Sequence, residues 1–154
     1  MPRFKPLEEW ICDTCRQPVS IADGFVEWLE SVERGPRDFH IVHNCKRCLQ
    51  HTDADDRSDM HLNYFLGPDG LQILLAMLDR GRILDPNAER LPAIPDLPSF
   101  VDVFRRLHIP YYEEARLYFE NALQDGYFAD RNEVAIFLPK TCKAIIERYE
   151  ETSC

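Results

Sequence analysis

Residues 11–48 read ICDTCRQPVSIADGFVEWLESVERGPRDFHIVHNCKRC and hold four of the six cysteines of this chain. These four form two C-x-x-C pairs, Cys12/Cys15 and Cys45/Cys48, with 29 residues between the pairs. Two thiolates three positions apart can hold one tetrahedral ion from a tight turn, and a second such turn completes the coordination. The spacing therefore predicts one structural Zn²⁺ bound by Cys12, Cys15, Cys45 and Cys48.

The segment between the two pairs has the composition of a β-hairpin. Residues 24–30, GFVEWLE, and 39–43, FHIVH, are rich in strand-forming residues, and the turn residues of ERGPRD, 33–38, separate them. A hairpin brings its two ends together, as one metal ion requires. The arrangement resembles a zinc ribbon with ICDTC and HNCKRC as its knuckles. It departs from that pattern where a glycine usually follows the second cysteine, because Arg16 and Leu49 stand there.

The second half of the site has an alternative ligand in His43, two residues before Cys45. A neutral imidazole can replace a thiolate, so Cys12, Cys15, His43 and Cys48 form a rival set that leaves Cys45 free. A third alternative is four cysteines without metal. Four protein ligands close the coordination sphere, and no His-x-Glu deaminase signature precedes the second pair. We therefore expect a structural zinc in a protein that is not an enzyme, with a zinc-dependent hydrolase as an alternative.

The rest of the chain is predicted to be mainly helical. An acidic loop, 52–59, precedes a helix at 67–81, and a proline-rich connector follows at 84–98. Apolar spacing in the first helix predicts a buried stripe formed by Leu71, Leu74, Leu75 and Leu78. Further predicted elements are helices at 99–108 (capped by Ser99), 110–126 and 139–151, and a hairpin at 127–137.

These elements predict an α+β fold, in which a small zinc-bound hairpin packs on a mainly helical C-terminal region. The predicted units are a zinc-binding module over 1–52, an acidic loop, helix and connector over 53–97, and a helical region over 98–154. The C-terminal region resembles a winged helix in architecture, which makes a DNA-binding transcription regulator a second alternative. Its recognition helix would carry Glu113 and Glu114 at early exposed positions, where carboxylates repel phosphate. Only Arg105, Arg106 and Arg116 would offset that repulsion.

The charge of the chain also argues against nucleic acid as a partner. The net charge is −9, with 27 acidic and 18 basic residues, and phosphate binding needs clustered Lys and Arg. No N-terminal segment resembles a signal peptide, and no apolar run approaches the roughly 18–20 residues that span a bilayer. We expect a cytoplasmic protein with reduced thiols and no membrane contact.

Several stretches together resemble a family of uncharacterised bacterial or phage zinc-binding proteins. They are WICDTC, GFVEW, FHIVH, RSDMHLNYFLGPDGL and RRLHIPYYEEARLYF. The resemblance implies Cys12, Cys15, His43 and Cys48 as the metal ligands, and it implies no activity. The function that we expect is therefore a zinc-stabilised interaction or regulatory protein acting on a protein partner.

Overall fold

The chain folds into an α+β structure, as predicted, in a computed structural model that describes residues 4–79 and 94–150. Its N-terminal part contains two antiparallel sheets. One has two strands, β1 and β2; the other has three, in the order β4-β3-β5. The strands are β1 (Glu9–Ile11), β2 (Pro18–Ser20), β3 (Gly24–Ser31), β4 (Gly35–His43) and β5 (Arg57–His61).

The predicted hairpin is present as β3 and β4, although its strands are longer than the sequence indicated. Gly35 and Pro36, predicted in the turn, belong to β4, where they pair with Ser31 and Glu30. The predicted acidic loop also contributes a strand, because β5 begins at Arg57 and pairs with β3. A short, half-exposed edge strand lacks the apolar alternation that marks a strand in sequence.

The first helix lies near the middle of the chain, and the others lie in its C-terminal half. They are α1 (Gly67–Leu78), α2 (Leu97–His108), α3 (Tyr112–Ala115), α4 (Phe119–Gln124) and α5 (Pro139–Glu150). The described residues also form three 3₁₀ segments: Leu62–Phe65 lies between β5 and α1, Arg116–Tyr118 between α3 and α4, and Glu133–Phe137 between α4 and α5. Helix α2 begins two residues earlier than predicted, and Asp96 caps it by accepting from the Ser99 N–H at 3.3 Å. None of the helices in the described ranges is long and apolar enough to cross a membrane.

One hydrophobic core joins the sheets to helices α1 and α2. It contains side chains from β1 to β4, from the 3₁₀ segment at Leu62–Phe65 and from both helices. Trp28 and Phe39 stack with ring centroids 6.0 Å apart, and Phe39 contacts Phe100 of α2 at 5.2 Å. Residues of this core therefore lie on both sides of the boundary predicted at residue 52. The division of the chain into three units stays a prediction.

Helix α1 turns a different face to the core than the sequence predicted. Leu74 is buried, but Leu71, Leu75 and Leu78 are 38%, 44% and 47% exposed among the described residues. The packed face instead includes Gly70, whose backbone lies so close to Phe65 that a Cβ would meet its carbonyl carbon at 1.9 Å. This close approach fixes the rotation of the helix. The end of the predicted helix and most of the predicted connector lie at 80–93, outside the described residues.

The C-terminal region lacks the hairpin on which its resemblance to a winged helix partly rested. The second helix, predicted as continuous over 110–126, is divided into α3, a 3₁₀ turn and α4, and Tyr111 before it has a left-handed φ of 68°. Residues 127–137 contain a 3₁₀ helix where a hairpin was predicted. The inward face of α5 is as predicted, because Cys142, Ile145, Ile146 and Tyr149 are buried.

Candidate metal centre

The first knuckle is the turn that joins β1 to β2. The Cys12 N–H donates to the Gln17 carbonyl at 2.9 Å, and the Arg16 N–H donates to the Cys12 carbonyl at 3.0 Å. Arg16 has a left-handed φ of 60°, which is the backbone conformation that glycine adopts at least cost. The position at which the sequence lacked the usual glycine thus keeps the glycine conformation, and the turn forms with Arg16 in it.

The second knuckle follows directly from the end of β4. His43 is the last residue of that strand, and the Cys45 N–H donates to the His43 carbonyl at 2.7 Å. The Cys48 N–H then donates to the Cys45 carbonyl at 2.9 Å. The hydroxyl of Thr14, in the first knuckle, donates to the carbonyl of Cys48. The Thr14 hydroxyl therefore makes a direct contact between the two knuckles.

Four side chains converge where the knuckles meet. The ligand atoms of Cys12, Cys15, His43 and Cys48 all lie within 4.8 Å of one another, and these cysteines form no disulfide. This cluster could hold a metal ion. Cys45, which the first predicted set included, is exposed and lies outside the group. The structure thus brings together the rival set with His43, which the family resemblance also implied.

His43 has the hydrogen-bond arrangement of a metal ligand. Its Nε2 lies 3.1 Å from the Pro18 carbonyl oxygen, while its Nδ1 lies 3.4 Å from Cys15 Sγ and 3.8 Å from Cys48 Sγ. A carbonyl oxygen only accepts, so Nε2 carries the proton in the neutral ring. The lone pair is then on Nδ1, which points into the cluster. A backbone carbonyl that fixes the tautomer in this way is typical of metal-bound histidines.

The thiols differ in how easily they ionise. Burial raises the pKa of Cys48, and the neighbouring thiols of Cys45, Cys15 and Cys12 raise it further. Burial also favours the neutral form of Cys12. Hydrogen bonds from backbone N–H groups, that of Cys15 foremost, outweigh this effect and lower the pKa of Cys12 to about 7. Backbone donors directed at a sulfur stabilise a thiolate, which is the form that binds metal.

A buried ion-pair network anchors the first knuckle to α2. Arg106, only 2% exposed, donates to Asp13 Oδ2 at 2.7 Å and to Glu113 Oε2 at 2.7 Å. It also donates to the Ile11 carbonyl at 2.8 Å. Burial opposes its charge, but the carboxylates of Glu113 and Asp13 raise the pKa of Arg106 above its ordinary value. Asp13 lies between two candidate ligands, so this network fixes the position of the metal cluster on the helices.

Other roles were predicted for these residues. Glu113 and Glu114 were predicted at exposed positions of a recognition helix, and both are buried. Glu113 Oε1 accepts from the Ile11 N–H at 2.8 Å. Arg106, predicted as a partial offset to their charge on a DNA-facing surface, is buried with them. The burial of Arg106 could not be predicted from the sequence, because its partner Asp13 lies 93 positions away in the chain.

A cleft of about 690 Å³ opens at the metal cluster, and three of the candidate ligands, Cys15, His43 and Cys48, line it. Residues of both knuckles line it, including Cys45 and Arg47, together with Gln17, Ala22 and Asp23. Its volume lies in the range of roughly 300–1,000 Å³ that is usual for ligand pockets.

Comparison with known proteins adds no functional assignment to this geometry. No family model matches the chain, and neither a curated protein nor a solved structure matches it. The feature of the described residues that points to a function is the cluster of Cys12, Cys15, His43 and Cys48, which could hold a metal ion.

Proposed function

We propose that this protein binds one structural Zn²⁺ and acts as a non-enzymatic interaction or regulatory protein on a protein partner. One observation carries the proposal: the convergence of three thiols and one imidazole from two knuckles. Cys₃His is an established ligand set for structural zinc. Soft thiolate ligands also disfavour Mg²⁺ and Ca²⁺, which prefer oxygen.

The role of the ion follows from the number of its ligands. Cys12, Cys15, His43 and Cys48 supply four donors, and a tetrahedral zinc then has no position left for water or substrate. A hydrolase needs such an open position to activate water. The same four ligands join two turns that are distant in sequence, so the binding energy of the metal contributes directly to folding.

The cleft at the cluster supports the choice of a binding function. It is built from the two knuckles, so its shape would depend on the metal that joins them. A protein partner is favoured over DNA because the net charge is −9 and Arg106 is buried in an ion-pair network. Arg37, another basic residue of the N-terminal third, forms a salt bridge with Asp56.

Metal content tests the first half of the proposal. Protein purified without added metal, then passed through a column in a weak chelator, should retain close to one equivalent of zinc. Native mass spectrometry with elemental analysis reports the metal and the assembly state together. A metal-free preparation that stays fully folded would refute a structural zinc.

Site-specific photo-crosslinking tests the second half. A photoreactive amino acid at Arg47, on the cleft, should give a discrete protein adduct in cells. The same amino acid at Lys143, half-exposed on α5, is the matched control and should not give that adduct. The adduct should disappear when Cys12→Ser removes a ligand. No adduct at Arg47, or the same adduct from both positions, would contradict a partner at the cleft.

A further inference from the structure

A β-bulge in β4 gives Asp38 an unusual backbone conformation. Glu27 pairs with His40 and Leu29 with Arg37, so Asp38 and Phe39 together lie opposite the single residue Trp28. Asp38 has a left-handed φ of 56°, which aspartate tolerates better than most residues. Bulges commonly redirect side chains near functional sites. Here Phe39 stays in the core while Asp38, 51% exposed, lies beside His40.

A buried carboxylate brings His51 to the same place. Glu27 is fully buried, and its Oε1 accepts from the Gln50 N–H at 2.8 Å while Oε2 accepts from Arg57 Nε at 3.0 Å. Because Glu27 is the cross-strand neighbour of His40, this bond holds the following residue, His51, over β4. The two imidazole centroids are 5.6 Å apart. Glu27 is thus a positioning residue for this pair of histidines.

Three possible ligand atoms meet at this point. Asp38 Oδ1 lies 2.9 Å from His40 Nε2, and Asp38 Oδ2 lies 3.1 Å from His51 Nε2. One ligand atom from each of the three residues lies within 4.8 Å of the others. None of the three belongs to the Cys₃His cluster.

The Nε2 atom of His51 is a second and independent sign of a ligand. It is buried, and it makes no hydrogen bond of normal geometry with the described residues even though Asp38 Oδ2 is near. Buried polar atoms are rarely left without a partner, and an ion is one common reason for an apparent exception. A metal ion accepting the lone pair of Nε2 would satisfy this atom.

We propose that Asp38, His40 and His51 form a second metal site, for a divalent transition-metal ion such as Zn²⁺. Two imidazoles and one carboxylate suit zinc and its neighbours rather than Mg²⁺ or Ca²⁺. Three protein ligands leave a coordination position for water or a small ligand, unlike the closed Cys₃His cluster. Asp38 Oδ1 lies 2.9 Å from His40 Nε2 and accepts from it when that atom is protonated, so a bound ion would take the place of this proton.

Zinc titration of the full chain against a chromophoric chelator tests this site, with native mass spectrometry to count the bound ions. The wild-type protein should bind one zinc more than two variants, Asp38→Gly and His51→Gln. In each variant the affinity for this additional zinc ion should fall by about tenfold or more, while the more tightly bound zinc ion remains. Asp38→Gly is informative because glycine accommodates the left-handed φ, so the fold is retained, as circular dichroism would show.

His61→Gln is the matched control, because His61 is an exposed histidine on β5 of the same sheet and lies outside the group. It should keep the extra equivalent. The proposal is overturned if Asp38→Gly and His51→Gln bind as much zinc as the wild type, or if His61→Gln loses the same equivalent. Because the two sites share no ligand, failure of the Cys₃His site would leave this difference between variants unchanged.

Discussion

The imidazole of His43 is held from two sides, by the Pro18 carbonyl at Nε2 and by two thiols at Nδ1. Cys45 is exposed, and its thiol interacts with that of Cys48. At the scale of single residues, the choice of His43 as the candidate fourth ligand therefore depends on how its side chain is oriented at the end of β4.

His43→Ala should reduce bound zinc well below one equivalent, because no other donor in the described group replaces Nδ1. Cys45→Ser should leave the stoichiometry intact, since a serine at this exposed position removes no ligand. Elemental analysis of the two purified variants separates the two predicted ligand sets. The opposite pattern, with zinc lost only in Cys45→Ser, would restore the four-cysteine set.

Arg16→Gly should stabilise the protein by about 0.5–1 kcal/mol. The left-handed φ of 60° costs arginine more than glycine, and the greater freedom of glycine in the unfolded chain offsets part of the gain. Urea denaturation of the zinc-loaded protein measures the change. Gln17→Gly, one residue further along and without a positive φ, is the control and should not stabilise. A loss of stability in Arg16→Gly would show that the arginine side chain matters more than its backbone.

Zinc affinity should fall as the pH falls through about 7. Above that pH Cys12 is mainly a thiolate, and below it binding must also displace the Cys12 proton. Cys48, with its raised pKa, releases a proton throughout. Zinc affinity should be measured by chelator competition at pH 6, 7 and 8. The slope of its logarithm against pH should be larger by about one below pH 7, because one more proton is then released on binding. A slope that stays the same from pH 8 to pH 6 would contradict the assignment of Cys12 as a ligand.

At the scale of secondary-structure elements, the contact between the first knuckle and α2 depends on one buried arginine. Arg106 neutralises Glu113 and Asp13, which lie on different elements. Arg106→Gln should destabilise the protein by about 3 kcal/mol, because the two carboxylates would lose their hydrogen-bonded cation and keep only Arg116, 3.9 Å from Asp13 Oδ1 and 3.6 Å from Glu113 Oε1. Chemical denaturation reports the loss.

Arg105→Gln is the matched control for this prediction. Arg105 is half-buried on the same helix and lies 3.8 Å above the ring of Phe137. Its removal should cost about 0.5–1 kcal/mol, the usual value of such a contact. Equal losses of stability in the two variants would mean that the ion-pair network around Arg106 contributes no more than the contact of Arg105 with Phe137.

Elements with a strong local signal could be predicted from the sequence, and elements defined by distant partners could not. The β3–β4 hairpin, α1 and the inward face of α5 follow from composition and spacing. Strand β5 is fixed by pairing with β3, and the burial of Glu113 by its bond to the Ile11 N–H, 102 positions away.

The candidate metal site divides in the same way. Cys12, Cys15 and Cys48 could be predicted from C-x-x-C spacing alone. The orientation of His43 depends on the Pro18 carbonyl, 25 positions earlier, which spacing does not reveal.

At the scale of the whole molecule, the net charge is negative, and the basic residue Arg106 forms ion pairs inside the fold instead of facing solvent. We predict no binding to random duplex DNA at about 150 mM salt, within the non-specific range of roughly 1–100 μM. A fluorescence titration with labelled duplex measures it. A salt-dependent complex in that range would contradict the prediction, and Arg34→Ala with Lys46→Ala would then show whether the N-terminal third is the contact surface.

The bond between Asp13 and Arg106 also has a consequence for the order of events during synthesis. Cys48, the last ligand of the Cys₃His cluster, leaves the ribosome 58 residues before Arg106. At a translation rate of about 5–20 residues per second, that interval is roughly 3–12 s. Throughout it the nascent chain has all four candidate ligands but not yet Arg106, the partner of Asp13. If the cluster binds a metal ion, loading can thus precede docking, and the arriving helix would close on a turn that the ion has already shaped.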